Sequence, residues 1–126
     1  MTMLDIADWL TSKISGIEVS NSQINKDADT AVAVYDRTVR EQPSSVGTRP
    51  GYGTKAVAVL VRWSNSASAC EKKAQELLEI FRTAGRPVIA DTECFFVANR
   101  NSIDLGRDEK GIFERTFTVE LFHGKD

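Results

Sequence analysis

Cysteine, proline, histidine and long apolar runs are all scarce in this chain of 126 residues, and each scarcity removes a class of protein. Cys70 and Cys94 are the only cysteines, without the density or spacing of a disulfide framework or a zinc site, so two free thiols in a reducing compartment are expected. The longest uninterrupted apolar run, Ala56 to Val61, falls far short of the roughly 20 residues of a spanning helix, which predicts no membrane segment. The start, Met1-Thr2-Met3-Leu4-Asp5-Ile6-Ala7-Asp8-Trp9, is acidic and amphipathic, and predicts no export by the common route. A basic excess is missing too: sixteen Lys and Arg stand against eighteen Asp and Glu, and a pI near 5.5 argues against a general nucleic-acid binder. With three Pro, eight Gly and 41% hydrophobic residues the chain reads as globular rather than disordered or fibrous, and its length suits one domain over residues 1–126.

What is present is a set of periodic segments. Met3, Ile6, Ala7, Leu10 and Ile14 form one apolar stripe, so a helix is expected from about Met3 to Ile14, stopped by Gly16. Trp9 falls about a third of a turn off that stripe, where it either caps the edge of the core or faces a partner. Thr30 to Tyr35 reads as a strand, and Ile17-Glu18-Val19 as a possible short one. Lys55 to Trp63 is apolar on both alternating sets until Arg62, the pattern of a central strand covered on both faces. Ala67, Cys70, Ala74, Leu77, Leu78, Phe81 and Ala84 then lay down a second helix that ends before Gly85 and Pro87. Further strands are expected at Glu93 to Asn99 and Ile112 to Phe122, with Arg115 breaking the apolar side of the latter and Gly111 suited to a left-handed turn. The expected fold is α+β: a mixed, mostly antiparallel sheet of four to five strands, two helices on one face, and a long loop after the second strand. Its expected core is Ile6, Leu10, Ile14, Val32, Val34, Val57, Val59, Val61, Leu77, Phe81, Phe117 and Val119.

Catalytic constellations are hard to assemble from these residues, and no enzyme is expected. The single histidine, His123, sits three residues from the end, Cys70 lies on an apolar helix face, and Cys94 begins an aromatic strand, so a Cys-His pair is not expected. The glycines of Gly47-Thr48-Arg49-Pro50-Gly51-Tyr52-Gly53 enter a strand rather than open a helix, which is not a phosphate cradle. Asp104, Asp108 and Glu109 match no calcium loop and read as a solvated hairpin tip. No cofactor and no metal is expected. Charge is distributed unevenly, however: Asp36 to Arg62 holds five basic and two acidic residues, whereas residues 1 to 35 hold two basic and five acidic. Arg37, Arg40 and Arg49, with Tyr52, are therefore candidate contacts for carboxylates such as Asp5, Asp8, Asp27 and Asp29 on a neighbouring copy. The bland alternative is that residues 36 to 54 are a solvated connection; too poor in apolar residues to be held by the subunit alone, they are expected to be mobile until a partner orders them.

Asp104-Leu105-Gly106-Arg107-Asp108-Glu109-Lys110-Gly111-Ile112-Phe113-Glu114, leading into Thr116 to Leu121, resembles the end of a family of small tailed-phage proteins, the minor capsid or tail terminator proteins. Upstream likeness comes from Ala31-Val32-Ala33-Val34-Tyr35-Asp36 and from Val57-Ala58-Val59-Leu60-Val61-Arg62 followed by a helix with Ala74, Leu77, Leu78 and Phe81. The chain departs from the family at Arg37 to Ser45, where a short Gly/Pro-rich run is usual. The resemblance implies an α+β subunit of a hexameric ring at the head-proximal end of a phage tail. Such a ring halts tube growth and joins the head; its partners are its own copies, the major tail tube protein and the head-tail connector, with no specific nucleic acid. Alternatives are a connector or stopper subunit at the portal, or a small cytosolic module that holds a ligand with the long loop.

Overall fold

The computed structural model describes residues 1–37, 52–98 and 100–124, and for Tyr52 the backbone only. The elements run α1 (Met3–Thr11), β1 (Val19–Asn21), β2 (Thr30–Asp36), β3 (Tyr52–Trp63), α2 (Ala67–Arg82), β4 (Val88–Ile89), β5 (Thr92–Val97), β6 (Ile103–Arg107) and β7 (Phe113–Gly124). The expected α+β class is observed, but the sheet has seven strands rather than four or five, in the order β1-β2-β3-β7-β5-β4, with β6 also on β7. The parallel pairing is β1 with β2; the remaining pairings are antiparallel. The additional strands are short or exposed. β1 and β4 have three and two residues, and β6, Ile103-Asp104-Leu105-Gly106-Arg107, shows no buried position, so no alternation betrays it. The loop expected over 36 to 54 is also shorter at both ends, because Asp36 pairs with Val57 and β3 already begins at Tyr52. The remainder of that loop, with its expected mobility, lies outside the described residues.

Strand alternation sorts the sheet into two faces. Val32, Val34, Val57, Val59, Val61, Phe117, Val119 and Leu121 point to the side where Ile6 and Leu10 of α1 and Leu77 and Phe81 of α2 close the core. Both helices thus pack on one face, as their stripes require. Every expected core residue is buried except Ile14, which is partly buried against the same cluster. Burying one such aliphatic or aromatic side chain is worth about 1.5–3 kcal/mol, against about 1 kcal/mol for a typical helix cap. The opposite face is lightly covered: Ile24, from the segment between β1 and β2, packs there on Ala31 and Ala33 with Tyr35 and Leu60.

Local chemistry sets the helix ends. Thr2 caps α1 reciprocally with Asp5, whose carboxylate accepts from the Thr2 backbone N–H at 2.7 Å while the Thr2 hydroxyl accepts from Asp5 N–H. These bonds, the one to the Thr2 backbone first, hold the Asp5 carboxyl below its ordinary pKa. α1 stops at Thr11 rather than Ile14. The Thr11 hydroxyl donates to Ala7 O and accepts from Val19 N–H, and the chain tightens into Lys13 N–H to Leu10 O and Ile14 N–H to Thr11 O. Trp9 caps the core edge: its ring lies 5.0 Å from Phe96, stacked, and 5.5 Å from Phe81.

Both cysteines are free and buried. Cys70 Sγ donates to Phe113 O at 3.5 Å and Cys94 Sγ to Pro87 O at 3.5 Å, and burial pushes both thiols above their usual pKa. A polar thiol reagent is expected to leave both unlabelled in the folded protein and to label both after denaturation. Rapid native-state labelling at either position would contradict this packing.

Candidate assembly surface

The residue that sequence reasoning undervalued is Arg62. Its strand position opposite Ala31 and Glu114 turns it to the face away from the helices, where it is only 1% exposed and, among the described residues, is the buried charged side chain. A buried guanidinium is tolerated only when its donors are satisfied. Here Nε donates to Ala28 O at 2.9 Å, one terminal nitrogen donates to Lys26 O at 3.1 Å, and the other reaches Asp108 Oδ2 at 2.5 Å and Glu114 Oε2 at 3.3 Å. Burial pulls its pKa down, but the hydrogen bonds to Asp108 and Glu114 outweigh burial and raise it. Three segments distant in sequence, 26–28, β3 and the β6–β7 hairpin, are therefore tied to one side chain.

Asp108 is the other half of this clamp. Its Oδ1 accepts from Lys110 N–H at 2.8 Å and Ile112 N–H at 3.0 Å, closing the turn in which Gly111 has φ +82°. Its Oδ2 pairs with Arg62, and that bond, with the two backbone bonds, lowers its pKa to about 2. The reading of Asp108 as part of a solvated hairpin tip is thereby corrected: it is partly buried and pairs inward. Asp104 turns to its own bulge instead, accepting from Gly106 N–H at 2.7 Å, so the two carboxylates serve separate turns.

Register also places His123 directly opposite Cys94 on β5 and Gly53 on β3, a juxtaposition hidden by 29 positions of sequence. The pair is not arranged for nucleophilic chemistry. Cys94 donates to Pro87 O with a raised pKa, and the imidazole lies over Gly53, where an added Cβ would stand 2.5 Å from Cε1. Packing explains both residues.

The other expected site residues are scattered. Asp5, Asp8 and Trp9 lie on α1, with Asp8 exposed, Asp5 engaged in the cap and Trp9 against Phe96. Arg37 is exposed where β2 ends, its N–H donating to Ala56 O, and Tyr52 starts the neighbouring strand. Arg40 and Arg49 lie outside the described residues. Asp27, exposed, has Oδ1 3.8 Å from Lys110 Nζ, and Asp29 accepts from Ser64 N–H through its backbone. No helix among the described residues is long and apolar enough to cross a membrane.

The one remaining surface feature of note is the sheet margin. β5 and β6 lie in line along the same edge of β7, separated by the residues between Val97 and Ile103. On their outer edge the described residues provide only the two-residue β4 at the end of β5. A family model for bacteriophage tail terminator proteins matches residues 5–121. The chain belongs to this family. Membership makes it a structural component of phage tails, and the match runs from within α1 to within β7. Among curated proteins none matches. One solved structure aligns over 98% of this chain and 90% of its own, with a TM-score of 0.61 at 10% identity, which establishes a shared fold and nothing more.

Proposed function

We propose that this tail terminator protein caps the tail tube at its head-proximal end, as a ring of identical copies, and presents the surface to which the filled head joins. The observation that carries the proposal is the family match over nearly the whole chain. Among the described residues the apolar core is buried and the buried polar side chains are hydrogen-bonded, as a structural subunit requires. A ring needs two different complementary faces on each subunit. Exposed Asp8 on α1 and the basic residues Arg37, Arg40 and Arg49, with Tyr52, are proposed contacts to the neighbouring copy or the tube.

Gold labelling of an epitope-tagged chain in phage particles tests this location. Label is expected at the head-proximal end of the tail, including tails that have not met a head. Label on tailless heads and none on free tails would instead make the chain a connector at the portal.

A further inference from the structure

Among the described residues exposed large aliphatic side chains are few, and two of them sit together: Ile103 is 62% and Leu105 52% exposed on β6. β6 is an edge strand. It pairs with β7 through Ile103 opposite Thr116 and Arg107 opposite Phe113, and among the described residues no strand takes its other side. Ile103, paired with Thr116, faces away from the helices, as do Val97 opposite Glu120 and Phe95 opposite Phe122. Phe95 and Phe122 stack at 5.1 Å and remain half-exposed. An apolar stripe therefore runs along this margin on the face away from the helices, beside the unpaired backbone edge.

An unpaired edge calls for a strand, because only an extended chain satisfies a row of N–H and C=O groups at strand spacing. We propose that the β6 edge of one copy pairs with the β1 edge of the next, continuing the sheet from subunit to subunit. This rests on the ring reading above and names its interface. β1 is the opposite margin of the same sheet, so joining the two is head-to-tail and can close into a ring. Beside β1 lies a cleft of about 740 Å³ lined by Ser20, Asn21, Gln23, Ile24 and Tyr35, on the face that Ile103 also occupies. Arg100 and Arg107 are exposed at the β6 margin, with Asp104 between them, and Glu18 is exposed beside β1, which leaves a Glu18–Arg pair available across the joint. The bulge at Leu105, with Gly106 at φ +82°, guards against indiscriminate pairing by making the edge irregular, so that only a matched partner fits.

The test is oxidative cross-linking in purified tails of phage carrying Ser20→Cys with Leu105→Cys; the native thiols are buried. A ladder of disulfide-linked multimers is expected, absent from either single variant. A second variant, Ile103→Lys with Leu105→Lys, should melt as the wild type does and show at least tenfold weaker self-association in sedimentation. If the double-cysteine chain is in the tails yet stays monomeric on oxidation, or if Leu105→Cys alone dimerises, the edge-to-edge interface is wrong while the terminator reading stands. If tails of the unmodified phage lack the chain altogether, the terminator reading fails and the interface with it.

Discussion

Arg62→Ala is expected to lower the melting temperature by about 10 °C while leaving the chain foldable. Removing one partner of a buried, hydrogen-bonded pair costs about 3–5 kcal/mol, and the lower figure applies because Asp108 and Glu114 retain access to water; for a domain of this size about 1 kcal/mol corresponds to roughly 3–4 °C. Arg62→Lys keeps the charge but cannot donate at once to Lys26 O, Ala28 O and two carboxylates, so it should recover only part of the loss. The variant also changes the response to acid. Asp108 has a lowered pKa in the folded protein, so its contribution is complete above the ordinary carboxyl value of 3.8 and disappears as pH falls towards about 2. With Arg62 gone, the main cause of that lowering is gone, and melting temperature should fall less steeply over this acid range than in the wild type. Parallel acid limbs in the two proteins would show that the pair does not hold the hairpin.

Val59→Asp is expected to abolish cooperative folding at neutral pH. Val59 is fully buried in the middle of β3, between Val34 and Phe117 in register and beneath the helices. An unpaired carboxylate there costs several kcal/mol, in addition to lost apolar burial, against a total stability of about 5–15 kcal/mol. Thr118→Asp, on the exposed face of adjacent β7, should melt near the wild type. The contrast tests the assignment of faces, and a native-like melt of Val59→Asp would reverse it.

How much of this was legible in the sequence follows from burial. α2, β2, β3 and β7 announce themselves because each lays a long apolar face on the core. β6 does not, since an edge strand with exposed Ile103 and Leu105 carries no inside-outside contrast. Arg62 was visible only as the place where an apolar pattern ends; that its charge is buried depends on Asp108 and Glu114 arriving from some 50 positions away. The motif around Asp108 was recognisable as a hairpin, but its carboxylate has two tasks, turn closure and the Arg62 pair, and only the first is local. Likewise, nothing local places His123 across from Cys94 and Gly53. The proposed assembly residues were the least legible, because a contact to another copy would leave no periodicity in the chain that makes it.

The length of tail tubes in particles made without this gene tests the terminator assignment most directly. Electron microscopy should show tubes of widely varying, excessive length with no heads attached, and supplying the chain in trans should restore uniform, headed tails. Tubes of normal, uniform length in the absence of the chain would contradict the account.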